Sequence, residues 1–204
     1  MNVPRRGRTA ASTVNPALIK RMIDGFPHGH GWKTFQAREL LRAAAPKTSR
    51  RPLAWGTVSK APGSTAGIYV FLFSKRLFAD AFSFDLHGPS SQHKPRRIRF
   101  KVTTSTLPSP IRGNFAAYVG RSANLGDRLR LHFHATKNTT SAQVRKALEA
   151  CRDINSHAAI DFMLNHATVA YCTIPGDKNV ANRDIIEVAL WAKYRTPFNI
   201  KSER

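Results

Sequence analysis

The passage from a short apolar run into a helix over residues 118–133 (YVGRSANLGDRLRLHF) constrains the fold of this chain more than any other stretch. The run ends at Gly120, and Asn124 is placed to cap the helix, its side-chain oxygen accepting from the first free backbone N–H groups. Arg128 and His132 are four residues apart and so share one helical face, while Leu125, Leu129 and Phe133 recur on a neighbouring face that packs inward. A permanent cation and a titratable imidazole therefore occupy one surface beside the end of a strand.

A second apolar run, residues 67–73 (GIYVFLF), is rich in aromatic and β-branched residues and follows the turn-forming Pro62, Gly63 and Ser64. It reads as a buried strand. Together the two stretches resemble the GIY-YIG nuclease superfamily: Gly67, Ile68 and Tyr69 stand for the first motif, and Tyr118, Val119 and Gly120 for the second. Arg128 follows Tyr118 by ten positions and His132 follows by four more; Glu187 on a late helix and Asn199, after Pro197 and Phe198, complete the series. The resemblance spans roughly residues 66–200, about two thirds of the chain. It implies an α/β (α+β) fold, a three-stranded antiparallel sheet flanked by helices. Two departures stand out: an insertion between the first two strands occupies about residues 74–112, and Val119 replaces the middle isoleucine of the second motif. Neither removes a chemical group.

With 33 Lys and Arg against 12 Asp and Glu, the chain carries a net charge of +21. Such self-repulsion is relieved by a polyanion, and nucleic acid is the partner it points to. Charge alone leaves a solvated basic surface or a ribosome-associated protein open, so the motifs must decide. No apolar run approaches the ~20 residues that span a bilayer, and no apolar signal core follows Arg5, Arg6 and Arg8. Cys151 and Cys172 have no zinc-type spacing. The expectation is a cytoplasmic protein without a disulfide or membrane contact.

The expected organisation is a basic N-terminal arm and helical extension over residues 1–60, then a nuclease-like domain over 61–204. Residues 1–14 are basic without periodicity and read either as an arm tracking phosphates or as a terminus with no role. Asn15 and Pro16 start a short helix with Leu18, Ile19, Met22 and Ile23 on one face. His28 and His30 fall in a loop as surface residues. A second helix is expected from Thr34 through Phe35, Ala37, Leu40 and Leu41 to about Ala45, before Pro46, and Trp55 anchors the linker to the core. In the insertion, Phe78, Phe82, Phe84 and Leu86 give a strand or an irregular apolar segment, while residues 96–102 alternate charged and apolar groups as a half-buried strand with a basic outer face. Further helices are expected from Ser141 past Cys151, over 156–165, and from about Asn179 to before Pro197, with a third strand over 168–174.

Cleaving a phosphodiester requires an aligned nucleophile, a cation for the developing charge and help for the leaving oxygen. The resemblance assigns these roles. Tyr69 positions or deprotonates the attacking water and His132 accepts the proton through it, because a phenol with an ordinary pKa of ~10 needs a neighbour to act as a base near neutrality. Arg128 holds the scissile phosphate and Tyr118 belongs to the same catalytic set. Glu187 is the sole protein ligand of one divalent ion, Mg2+ with Mn2+ as the alternative, water and DNA oxygens filling the rest of the shell. Asn199 hydrogen-bonds phosphate or fixes the cleft, the competing reading being a turn residue after Pro197. Without the resemblance, Tyr69 and Tyr118 read as core, and Arg128 and Glu187 as solvated residues of amphipathic helices.

Candidates for DNA-backbone contact are Arg38, Arg42, Arg50 and Arg51 at the front, Arg96, Arg97, Arg99 and Lys101 in the insertion, and Arg121 and Arg130 beside the site. Homing-type relatives append their DNA-reading modules after the nuclease domain, and only five residues follow Asn199. Recognition is therefore expected from the front, the insertion or a partner. The function expected is metal-dependent hydrolysis of double-stranded DNA, restriction-type among the roles open to it. A nuclease of a mobile element, repair or toxin system remains an alternative, as does a non-catalytic DNA- or RNA-binding module on the same fold. The oligomeric state is open, a dimer included.

Overall fold

A computed structural model describes residues 13–39, 62–87, 97–133 and 143–199. In chain order the elements are α1 (Pro16–Gly25), β1 (Lys33–Gln36), β2 (Gly67–Ser74), β3 (Ala81–His87), β4 (Arg97–Thr103), β5 (Asn114–Ser122), α2 (Leu125–His132), α3 (Gln143–Arg152), α4 (Ser156–His166), β6 (Thr168–Thr173) and α5 (Val180–Tyr194). The fold is mixed α and β with antiparallel sheets, as expected.

The main sheet has the order β1-β6-β2-β5, with β2 antiparallel to both of its neighbours. Because helices cover both faces, residues 67–73 are buried without alternation, and this is why the strand reads as a continuous apolar run. Tyr69, Phe71, Phe73, Phe115 and Tyr118 pack on one face with α2, α3 and α4, while Ile68, Val70, Leu72, Val119 and Cys172 pack on the other with α1 and α5. A register shift between Phe71 and Leu72 sets Phe71 opposite Tyr118 and Leu72 opposite Ala116. The bulge lets Phe115 and Tyr118, three positions apart on β5, face the same side of the sheet.

The fourth strand corrects the sequence reading. Residues 33–36, expected to open a helix, instead pair with β6, with Phe35 opposite Val169. The exposed ladder of β6 supplies backbone partners that a helix start at Thr34 would forgo, and Phe35 and Ala37 reach the core from the strand. The rest of the expected helix, residues 40–45, and Trp55 lie outside the described residues. The three expected strands are present as β2, β5 and β6; the sheet simply extends one strand further. α1 begins as expected, Asn15 Oδ1 accepting from Leu18 N at 3.0 Å, and it packs on α5.

The insertion is a β3–β4 hairpin in its own two-stranded sheet. Phe84 stacks on Phe100 at 5.1 Å between ring centroids and meets Phe198 edge-on at 5.6 Å, so the hairpin's inner face joins the main core. Among the described residues no helix is long and apolar enough to cross a membrane. Cys151 and Cys172 are free, and burial pushes both thiols up to about 11.

Candidate active site

The site begins where β5 leaves the sheet. Asn124 caps α2 by accepting from Asp127 N at 3.1 Å, and Ser122 holds Asn124 through its hydroxyl. Two more N–H groups at this helix start are taken by the turn before β2, Leu125 N donating to Thr65 O and Gly126 N to Gly63 O. Helix and strand are thereby fixed to each other, and Leu125 and Leu129 drive the inner face of α2 into the core. His132, one turn after Arg128, is carried inward with them and is fully buried.

Three of the expected site residues converge directly. The Tyr69 hydroxyl lies 2.9 Å from His132 Nε2, and Arg128 Nε donates to the same hydroxyl at 3.3 Å. The rings of Tyr69, Tyr118 and His132 contact one another, with centroids 5.4 to 5.9 Å apart. Gly120, opposite Tyr69 in the register, makes room: a Cβ there would sit 2.6 Å from the Tyr69 hydroxyl. Gly67 is equally constrained, since its Cβ would fall 2.1 Å from the Cys172 carbonyl oxygen. The motif glycines are therefore steric requirements of the two strands that carry the tyrosines.

Burial favours the neutral forms of Tyr69 and His132 beside the Arg128 cation. Burial raises the Tyr69 pKa, the Glu187 charge raises it further, and the charge and hydrogen bond of Arg128, with the Tyr118 hydrogen bond, pull it back down. The His132 pKa is held well below its ordinary value, first by burial and then by the Arg128 and Arg145 cations. With the imidazole neutral, Nε2 can accept the Tyr69 proton. His132 Nδ1 has no hydrogen-bond partner among the described residues, a cost borne by a functional site more often than by an ordinary core. Arg145, buried on α3 and ion-paired with Glu149 at 3.0 Å, escaped the sequence reading. It sits within the apolar stripe of Val144, Ala147 and Leu148, and its one visible signal is the glutamate four residues on.

Glu187 lies on α5, on the other face of the sheet but near enough to act on Tyr69 through its charge. Arg121 Nε reaches both Glu187 Oε2, at 3.3 Å, and Asp184 Oδ1, at 2.7 Å. Two carboxylate oxygens thus converge on one cationic centre. Oxygen donors of this kind suit a hard cation such as Mg2+ or Mn2+. The described residues contain no group of three or more His, Cys, Asp or Glu placed for a metal. Asp184 was not expected; its place one turn before Glu187 was the available signal.

Asn199 resolves the other way. Its side chain donates to Val119 O at 2.7 Å and accepts from Val119 N at 2.9 Å, so both ends of the amide serve the β5 backbone. Phe198 N donates to Ala117 O alongside. The Asn199 side chain thus braces the β5 backbone, while Asn199 N donates to Thr196 O in the turn after α5.

The basic candidates divide. Arg38 and Lys101 are exposed; Arg99 pairs with Asp85 at 3.0 Å, and Arg130 with Asp127 at 3.1 Å. Arg42, Arg50, Arg51 and Arg96 lie outside the described residues, as does the side chain of Arg97. His28 and His30 are exposed, as expected. No protein-family model, curated protein or solved structure matches the chain.

Proposed function

We propose that this protein is a metal-dependent endonuclease of the GIY-YIG type that hydrolyses phosphodiester bonds of double-stranded DNA. The observation that carries the reading is the contact of the Tyr69 hydroxyl with both His132 Nε2 and Arg128 Nε over the bare α-carbon of Gly120. A phenol held between an imidazole and a guanidinium is more than core packing requires. The net charge of +21 supplies affinity for the duplex.

Tyr69 and His132 both favour their neutral forms, so a resting tyrosinate–imidazolium pair is disfavoured. The proton therefore moves from Tyr69 to His132 as the phenol oxygen takes a proton from the attacking water. Arg128, beside the same oxygen, would bind the scissile phosphate and oppose the charge that develops there. Glu187 would hold the divalent ion, which when bound stabilises charge on the phosphate and leaving oxygens. Tyr118 packs against Tyr69 and His132 and keeps both rings in register.

One observation favours a second reading, a DNA-binding module without catalysis: Glu187 is already ion-paired with Arg121. Incubating the purified protein with plasmid, genomic DNA and RNA, with and without Mg2+, separates the two. Cutting of duplex DNA only with Mg2+ supports the nuclease; binding without cutting under every metal condition supports the module.

A further inference from the structure

Arg121 is a basic residue at the end of an edge strand, where a phosphate contact is the simple expectation. Its Nε instead lies against Asp184 and Glu187. It stands opposite Ile68 in the β2–β5 ladder, which directs it to the α5 face of the sheet. All three side chains keep some exposure, at 44% for Arg121, 43% for Asp184 and 21% for Glu187, so the group lies at the surface. Asp184 Oδ1 is enclosed yet makes no aligned hydrogen bond among the described residues. The contact is one of charge more than of direction, and one cation can replace another there. Arg183, whose Nη1 donates to the carbonyls of Ile174 and Gly176 at 2.7 and 3.0 Å, acts on Asp184 through its charge.

We propose that Arg121 is a latch on the metal carboxylates: it neutralises Asp184 and Glu187 in the DNA-free protein and leaves them for a phosphate when duplex binds, opening a two-carboxylate cation site. The inference rests on Glu187 as the metal ligand and adds Asp184 as its second oxygen donor. A divalent ion cannot share the position of a guanidinium 2.7 Å from Asp184 without strong repulsion. Exposed ion pairs are weak, so a row of phosphates is able to draw the arginine away. Metal affinity then follows DNA, and the free protein is kept from loading the ion.

The test is Mn2+ binding to the full chain without DNA, followed by electron paramagnetic resonance, for wild type, Arg121→Gln, and Arg121→Gln combined with Asp184→Asn and Glu187→Gln. Arg121→Gln should bind Mn2+ on the order of tenfold more tightly than wild type, and the triple variant should lose that gain. An unchanged affinity in folded Arg121→Gln overturns the latch, as does a gain that survives in the triple variant. Plasmid cleavage by wild type at saturating Mg2+ reads the nuclease assignment separately. Cleavage with no Arg121 effect on Mn2+ sinks the latch alone, whereas a tighter Arg121→Gln in a protein that cuts nothing upholds the cation site and sinks the nuclease.

Discussion

His132 is the residue whose chemistry depends most on where the fold puts it. The folded protein keeps its pKa depressed, while the unfolded chain titrates near ~6.5. The unfolded state therefore binds the proton first as pH falls, and the histidine's share of stability is complete above about 6.5 and lost progressively below it. Near neutrality the group is already in the neutral form that the proposed proton path requires. His132→Ala should slow cleavage most near neutral pH and regain part of the rate as pH rises and the phenol or water ionises more readily. A pH–rate profile equal to wild type throughout would remove His132 from the mechanism. The four-residue spacing on a helix fixes the shared face of Arg128 and His132, whereas Tyr69 joined them only through the family resemblance. The sequence did not reveal the Arg121–Asp184–Glu187 contact, which joins residues on a strand and a distant helix.

At the scale of elements, local signals succeeded where they act locally. The Asn15 and Asn124 caps, the buried β2 run and the alternating β4 strand all follow from neighbours in the chain. β1 was misread because its strand character comes from β6, far along the sequence. Asn199 shows the same limit from the other direction: only the folded chain reveals that its amide completes the hydrogen bonds of Val119. Asn199→Ala strands a backbone N–H and C=O and should cost about 1–3 kcal/mol. That corresponds to a drop of several degrees in Tm by thermal unfolding, roughly 2–4 °C per kcal/mol in a chain of this size. An unchanged Tm with weakened phosphate binding would instead return Asn199 to the role of a DNA contact.

Across the whole molecule, the excess positive charge makes any duplex binding depend on salt. The exposed faces differ in how free their cations are. Lys101 is exposed on β4, whereas Arg99 is bound to Asp85 through two hydrogen bonds. Lys101→Ala should weaken duplex binding and flatten the plot of log affinity against log salt by about 0.9 if it meets one phosphate; Arg99→Ala should do less of both. Equal effects from the two would mean that DNA breaks the Arg99–Asp85 pair, and no effect from either would place the duplex away from the hairpin. The account as a whole depends on one carboxylate separating binding from chemistry. The most direct measurement pairs plasmid cleavage in Mg2+ with a mobility-shift assay in Ca2+, for wild type and folded Glu187→Gln. The expected result is that Glu187→Gln binds duplex as tightly as wild type or more so, because a negative charge facing phosphate is gone, yet no longer cuts. Mg2+-dependent cleavage that persists in folded Glu187→Gln would contradict it.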